Sequence, residues 1–305
     1  MNRIVAVVGP TASGKSELAL QLAHDFQGEI VSADSRQIYR YLDIGTAKPS
    51  IHDRKLVPHH LIDIVDPDES FSLALYQSMA YKEFNDIIER GKIPFLVGGT
   101  GQYIWATVKG WKVPGVAPDY ELRNDLERKA REEGNNALYE MLKSVNPEVA
   151  ERIDPCNVRR VIRALEIINK KPEAASVLWQ KETPPYSFLI IGLTMARELL
   201  YRRIDNRAEV MIDNGLLEEV KNIVTMGYSL DLPSLSGIGY RQMGMVLNGE
   251  LDIGVALERM KYETHKFARR QYTWFRKNDS QIHWFDVYDN IRCKINELVQ
   301  HFITT

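Results

Sequence analysis

The chain has 305 residues, of which 44% are hydrophobic and 26% are charged, and its formal net charge is −2. These values are ordinary for a soluble globular protein, and the total charge alone does not indicate a nucleic-acid partner. No apolar run approaches the roughly 20 residues of a membrane helix, and two cysteines are too few for a disulfide framework or a zinc site. We therefore expect a cytoplasmic protein without a signal peptide or a membrane segment.

The first part of the chain alternates short apolar runs with helical patterns. We predict strands over residues 3–8, 28–33, 61–65 and 93–98, and a helix over about 71–90. This alternation predicts an α/β fold in which helices cover a parallel sheet.

A long charged stretch without predicted strands interrupts this pattern and ends at KETPPY. We predict that it forms a helical insertion domain, 116–185, between two parts of one core, 1–115 and 186–305. In the second part a strand begins at about 187, helices fill most of 197–278, and QIHWFDV predicts a last strand before a C-terminal helix.

The segment GPTASGKS fits the phosphate-binding pattern G-x-x-x-x-G-K-[ST] and lies between an apolar strand, IVAVV, and a helical pattern. This arrangement aims backbone N–H groups and a helix N-terminus at an anion. We expect Lys15 to reach the outer phosphate and Ser16 to bind Mg²⁺. The loop alone fits a kinase, a hydrolysing switch, or an enzyme from which diphosphate leaves. Its expected phosphate-binding residues are Gly9, Pro10, Thr11, Ala12, Ser13, Gly14, Lys15 and Ser16.

Two further strand ends carry polar residues, and ligands of open α/β sheets bind outside the carboxyl ends of the strands. Asp34 follows the second predicted strand. It is either a general base for a bound nucleophile or a cap or an outer ligand of Mg²⁺, and its position favours neither. The turn VGGTGQY follows the strand at 93–98. Its glycines either let a substrate approach, with Thr100 offering a hydroxyl, or form a structural turn.

A basic helix is predicted near the C-terminus, because residues 259–277 hold seven lysines or arginines and one acidic residue. At helical spacing Phe267 and Trp274 fall on a packed side, and Lys266 and Arg270 fall largely opposite. The basic side is either solvated or binds phosphates. Two other basic clusters favour a polyanion, namely Arg159, Arg160 and Arg163, and Arg202, Arg203 and Arg207.

Seven motifs in one order give the chain a family resemblance: GPTASGKS, DSRQIYRYLDIGTAKP, PHHLIDIVDPDESFS, VGGTGQY, RRVIRALE, GIGYRQM and RRQYTWFRK. The chain resembles the tRNA dimethylallyltransferases, also called tRNA isopentenyltransferases, from residue 4 to residue 285. The resemblance implies a P-loop NTPase-like, nucleotide-kinase-like core. It also implies transfer of an allyl group from dimethylallyl diphosphate to N6 of adenine 37 in tRNA, so that the loop holds a diphosphate that leaves.

The resemblance implies a role for each site residue. Asp34 would take the proton of the adenine amino group, which is a weak nucleophile because its lone pair is delocalised. Lys15, Arg207, the loop amides and Mg²⁺ on Ser16 would stabilise the leaving diphosphate. The adenine would be flipped out of its stack. With the basic helix included, the implied tRNA contacts are Asp34, Ser35, Arg36, Gln37, Thr100, Arg123, Arg159, Arg160, Arg163, Gly239, Tyr240, Arg241, Lys266 and Arg270.

The chain departs from the common family pattern in regions expected to face tRNA or to lie in the insertion. It has PCN, with Cys156 and Asn157, where members have PND, and His265 where they have arginine. No zinc finger of the eukaryotic members is present, which implies the bacterial type, and no protein partner is evident. The alternatives are a P-loop small-molecule kinase or adenylate prenyltransferase, and a non-catalytic nucleotide-dependent RNA-binding switch.

Overall fold

The computed structural model describes residues 2–174, 180–287 and 291–305. Its strands are β1 (Asn2–Val8), β2 (Glu29–Ser32), β3 (His59–His60), β4 (Pro94–Val97), β5 (Tyr186–Thr194) and β6 (Ile282–Asp286). They form one sheet in the order β3-β2-β4-β1-β5-β6, and every neighbouring pair is parallel. This architecture confirms the predicted α/β class.

Helices pack on this sheet, build the inserted segment, or pack in a separate apolar cluster with residues 38–42. They are α1 (Lys15–Asp25), α2 (Ile51–Leu56), α3 (Leu73–Glu89), α4 (Gly101–Val108), α5 (Tyr120–Glu133), α6 (Asn135–Val145), α7 (Pro147–Glu151), α8 (Val158–Lys170), α9 (Arg197–Asp213), α10 (Leu216–Thr225), α11 (Tyr240–Leu247), α12 (Ile253–Trp274) and α13 (Ile291–Thr304). Within the described ranges, no helix combines the length and the apolarity that a bilayer crossing requires.

The middle of the sheet is buried on both faces, which explains the unbroken apolar sequence of β1. Val5 of β1 pairs with Phe95 of β4 and with Leu189 of β5. One face packs against α1 and α13, and Phe84 of α3 contacts the rings of β5 on the other. A strand covered on both faces needs no polar alternation. The carboxyl ends of β2, β4, β1 and β5 therefore lie side by side at one edge of the core.

The chain divides into two compact units. The first comprises Met1–Phe71, Tyr76–Val108 and Pro184–Thr305, and the second comprises Ser72–Leu75 and Lys109–Thr183. The second unit packs α5, α6, α7 and α8 around its own apolar core. The insertion predicted from sequence ran from 116 to 185. Residues 175–179 of that predicted helical stretch lie outside the described residues.

The strand predicted over 61–65 is wrong. The strand that pairs with β2 is His59–His60, and the chain leaves it at once. Leu61 and Asp63 have φ angles of 59° and 57°, a left-handed conformation that a strand cannot contain. Asp63 is held there by ion pairs with Lys48, at 2.5 Å, and with Arg54, at 2.7 Å. The other predicted strands are confirmed to within one residue at each end.

Candidate active site

The phosphate-binding pattern forms a tight loop between β1 and α1. Gly9 and Gly14 have φ angles of 141° and 91°, which favour glycine. A Cβ on Gly9 would also lie 2.5 Å from the carbonyl oxygen of Leu193. Because α1 begins at Lys15, the unpaired N–H groups of its first turn lie next to the loop. The loop is therefore shaped to hold an anion.

Two serines of the loop have hydroxyls without a hydrogen bond to the residues that the structure describes. Ser13 is fully buried, and its Oγ has no hydrogen-bond partner among the described residues. Buried hydroxyls are normally paired, so this group lacks a partner that a phosphate oxygen would supply. Ser16 is exposed in the first turn of α1. Its hydroxyl is therefore available to a ligand at the loop.

Cations gather around the loop. Lys15 Nζ donates to the carbonyl oxygen of Pro10 at 2.6 Å, and Arg207 Nη2 donates to Thr11 Oγ1 at 2.5 Å. Burial, together with repulsion from Arg207, lowers the pKa of Lys15 to about 7, and attraction to Asp34 offsets part of this. Burial also lowers the pKa of Arg207, with a smaller contribution from Arg203. Such crowding of positive charge favours binding of an anion.

Of the two roles that the sequence left open for Asp34, the structure shows the cap, and the role of general base stays a prediction. Its Oδ1 accepts hydrogen bonds from the backbone N–H groups of Arg36, at 2.8 Å, and Gln37, at 3.4 Å. The carboxylate thus caps the turn after β2, which fixes its orientation. Its Oδ2 has no hydrogen-bond partner in the described part of the chain. One oxygen is therefore structural, and the other is available to accept a proton.

The residues after Asp34 are held by the protein itself. The N–H of Ser35 donates to Thr100 Oγ1 at 3.1 Å. The Arg36 guanidinium donates to the carbonyl oxygens of Pro233 and Ser234, at 2.6 and 3.0 Å. These bonds fix the turn, while the predicted tRNA contacts of Ser35, Arg36, Gln37 and Thr100 stay predictions.

The glycines of VGGTGQY let protein segments, rather than a substrate, approach the backbone. A Cβ on Gly98 would lie 2.2 Å from the carbonyl oxygen of Ala33. A Cβ on Gly101 would lie 2.2 Å from Trp274 of α12. The geometry therefore favours the structural turn of the two alternatives.

Gln271 of α12 is a site residue that the sequence did not indicate. Its Oε1 accepts from the N–H of Thr11 at 2.7 Å, and its Nε2 donates to the carbonyl oxygen of Gly99 at 3.0 Å. It joins the phosphate loop to the turn after β4. The available signal was a polar residue on the packed side of an amphipathic helix, but that pattern does not name the partners.

The outer side of α12 is basic, as predicted. Lys266 and Arg270 are exposed, and Lys266 Nζ lies 4.4 Å from the centre of the Tyr262 ring. The position predicted for Phe267 is wrong, because this residue is 36% exposed. The buried stripe of the helix runs through Ala268 instead, one position further along.

The turn before α11 and its first residues are largely engaged in the protein. Gly239 has a φ angle of 97°. Tyr240 is 1% exposed, and its hydroxyl donates to Glu219 Oε1 at 2.6 Å. Arg241 pairs with Glu263. Gly239 and Tyr240 are buried as whole residues, whereas Arg241 is exposed, and the tRNA contacts predicted at these three positions stay predictions.

In the second unit a buried carboxylate binds two of the arginines that were predicted to contact tRNA. Glu166 is fully buried, and its Oε1 accepts from Arg123 Nε at 2.9 Å, while its Oε2 accepts from Arg163. Burial opposes ionisation of Glu166, but these hydrogen bonds outweigh it and keep its pKa below the usual value. Of the cluster Arg159, Arg160 and Arg163, the first two are exposed, whereas Arg163 is engaged with Glu166.

His265, one of the departures from the family pattern, is largely covered by the protein. Only 19% of its side chain is exposed. Its Nε2 lies 2.8 Å from Asp205 Oδ1, and its ring stacks on Tyr201 with the ring centres 4.0 Å apart. Both partners belong to α9, so this histidine joins α12 to α9.

These features define the class of the protein. A phosphate loop after the central strand of a parallel sheet, surrounded by Lys15, Arg203 and Arg207, is the site of a P-loop α/β protein that binds a phosphate group.

Comparisons with known proteins identify the family. A family model described as IPP transferase matches residues 37–278. A tRNA dimethylallyltransferase of Roseiflexus castenholzii is 54% identical over 274 residues, which are 90% of this chain and 90% of that protein. The full-length tRNA isopentenylpyrophosphate transferase of Bacillus halodurans is 39% identical, with a TM-score of 0.73 over 99% of this chain and 97% of that one.

A eukaryotic dimethylallyltransferase whose structures capture it acting on tRNA is 27% identical, with a TM-score of 0.78 over 99% of this chain and 78% of that one. The chain therefore belongs to the IPP transferase family, and it is a prenyltransferase.

Proposed function

We propose that this enzyme transfers the dimethylallyl group of dimethylallyl diphosphate to N6 of adenine 37 in the anticodon loop of tRNA. The observation that carries the proposal is the phosphate loop with its crowded cations, next to a carboxylate that has one oxygen available. The names of the relatives, which are tRNA dimethylallyltransferases, support both substrates.

The loop and its cations act on the leaving group. As the bond between the allyl carbon and the diphosphate oxygen breaks, its electron pair goes to the diphosphate. Lys15, Arg207 and the N–H groups of the loop then stabilise the charge that develops on that oxygen. Because these groups already face the loop before the donor binds, little reorganisation accompanies the reaction.

Asp34 acts on the nucleophile. N6 of the adenine forms the new bond to the allyl carbon and loses one proton, which Oδ2 of Asp34 accepts. The hydrogen bonds to Oδ1 hold the carboxylate in place during this transfer. A positioned base of this kind contributes about 10²- to 10⁴-fold in rate.

Mg²⁺ is the proposed cofactor. The ion prefers hard oxygen ligands and takes one or two of them from a protein, while a diphosphate supplies others. The exposed hydroxyl of Ser16, at the loop, fits this requirement. When bound, the ion would neutralise part of the charge on the diphosphate.

The tRNA substrate meets the basic side of α12, where Lys266 and Arg270 would contact phosphates. The target adenine leaves its stack to reach Asp34, because enzymes that modify a base cannot reach its reacting atom while the base is stacked. We place the enzyme in the cytoplasm, where tRNA is available.

The decisive experiment incubates the full chain with dimethylallyl diphosphate, Mg²⁺ and unmodified tRNA, followed by mass analysis of the nucleosides. We expect one dimethylallyl group on one adenosine and release of diphosphate. A tRNA in which adenine 37 is replaced by guanine is the matched control and should remain unmodified. Phosphoryl transfer to a small molecule, or hydrolysis of a nucleoside triphosphate without nucleoside modification, would contradict the proposal in favour of a kinase or a switch.

A further inference from the structure

One amide side chain ties the phosphate loop to two other segments of the site. Gln271 is 3% exposed, and it uses both ends of its amide, one on Thr11 and one on Gly99. An amide with its acceptor and its donor both engaged in a buried place has one favourable orientation. Gln271 therefore fixes the backbone of Thr11 relative to α12.

The same Thr11 anchors a cation of the site. Its Oγ1 accepts the hydrogen bond of Arg207 Nη2, and Arg207 lies on α9. A displacement of Thr11 would consequently move the Arg207 guanidinium. Thr11 is thus held by Gln271 through its backbone N–H and by Arg207 through its side-chain hydroxyl.

The turn after β4 is built to admit this amide. A Cβ on Gly99 would lie 2.2 Å from Gln271 Nε2, so that any larger residue there would displace the amide. Trp274, one turn further along α12, packs on Gly101 of the same turn. The C-terminal end of α12 is thus seated on the turn, while Lys266 and Arg270 lie on the exposed side of the helix.

We propose that Gln271 is a positioning residue for the diphosphate donor. It fixes Thr11 and, through Thr11, the Arg207 guanidinium, and it connects the helix with the basic outer side to the phosphate loop. Gln271 does not touch the reacting atoms. The inference rests on the proposed function. It adds to that function a residue that keeps the phosphate loop and the Arg207 guanidinium in the arrangement that the leaving diphosphate requires.

The test replaces Gln271 by methionine, which keeps the length of the side chain and removes both hydrogen bonds. Calorimetry gives the Kd of inorganic pyrophosphate with Mg²⁺, filter binding gives the Kd of tRNA, and steady-state kinetics give kcat and KM for dimethylallyl diphosphate. We expect the pyrophosphate Kd and the donor KM to rise about tenfold and kcat to fall by about tenfold, as misplaced catalytic groups predict. The Kd of tRNA should remain unchanged.

The chain offers a matched control in Gln242 of α11. Gln242 is 1% exposed, accepts from the N–H of Gly239 at 2.8 Å and donates to Glu263 Oε2 at 2.8 Å, but it does not contact the phosphate loop. Gln242→Met should lower the melting temperature by about as much as Gln271→Met and leave the pyrophosphate Kd at the wild-type value. Equal pyrophosphate affinities of the two variants would overturn the proposal.

A second variant tests the proposal if Gln271→Met does not fold. Gly99→Ala leaves Gln271 in the sequence but places a methyl group where its amide lies. We expect the same loss of pyrophosphate affinity, and a wild-type Kd in this variant would overturn the proposal. A wild-type protein that does not bind pyrophosphate would instead contradict the proposed function, so the two failures are distinguishable.

Discussion

The low pKa of Lys15 predicts that binding of the diphosphate takes up a proton. In the free protein the pKa is about 7, because the ammonium is buried beside Arg207. A diphosphate against this ammonium adds an attraction that opposes the effect of burial, and it therefore raises the pKa toward its ordinary value. At pH 8 about nine-tenths of the free protein holds neutral Lys15, so binding should take up about 0.9 proton, compared with about 0.1 at pH 6.

The affinity for diphosphate should follow this uptake. Above pH 7 the contribution of Lys15 weakens about tenfold per pH unit, which is about 1.4 kcal/mol, until the pKa of the bound state is reached. The sign follows from the direction of the shift: the bound state holds more protons than the free state, so rising pH opposes binding.

The assay is calorimetric titration of pyrophosphate with Mg²⁺ in buffers of different ionisation enthalpy, which yields the number of protons taken up. Pyrophosphate itself also titrates, so the comparison is with Lys15→Arg, whose guanidinium stays charged throughout. We expect the wild type to take up about 0.9 proton more than this variant at pH 8. Equal uptake by both proteins would refute the assignment of a low pKa to Lys15.

Three other substitutions test separate parts of the proposal. Asp34→Asn should lower kcat about 10²- to 10⁴-fold while the protein still binds tRNA and pyrophosphate, as equilibrium binding will show. Replacing Lys266 and Arg270 by alanine should flatten the slope of log K for tRNA against log salt by about one to two units, measured by filter binding at several salt concentrations. Glu166→Gln should destabilise the protein by about 3 kcal/mol in denaturant unfolding, because two arginines lose a buried charged partner.

Each of these has a control on the same chain. Asp252→Asn changes another capping aspartate, at the start of α12, and should leave kcat at the wild-type value. A variant at Asp34 with more than a tenth of the wild-type kcat would exclude it as the base. Replacing the exposed Lys92 and Lys294 by alanine should not change the salt slope, and an unchanged slope in the α12 variant would leave its basic side merely solvated. Glu132→Gln, at an exposed position, should leave stability within about 0.5 kcal/mol.

The sequence predicted those parts of the fold and the site that are formed by residues close together along the chain. The buried run of β1, the glycine-rich loop and the helix that follows it are consecutive, so their pattern is readable without any tertiary contact. The strand predicted over 61–65 had an equally good apolar pattern. It fails because the backbone is left-handed at Leu61 and at Asp63, and Asp63 is held by Lys48 and Arg54, which the pattern does not include.

The parts that could not be predicted depend on contacts between distant residues. Thr11 and Gln271 are 260 positions apart, and Thr11 and Arg207 are 196 apart. Gln271 lies three residues before Trp274, so helical periodicity places both on the packed side of the helix, but it does not reveal that the packing partner of Gln271 is the phosphate loop. The same limit applies to Glu166, which has the sequence context of an ordinary surface helix and is nevertheless fully buried.

The motif RRQYTW, in α12, combines two physical requirements within two helical turns. Arg269 and Arg270 are exposed, and their positive charge would suit contacts with phosphates, which position a nucleic acid but carry no base-specific information. Gln271 and Trp274 point inward, and each packs against a glycine, Gly99 and Gly101 respectively. At either glycine a Cβ would lie 2.2 Å from the packed side chain, so no larger residue fits there. Substitutions on the outer side should therefore change the affinity for tRNA in a salt-dependent way. Substitutions on the inner side should change how the donor is held, independently of salt.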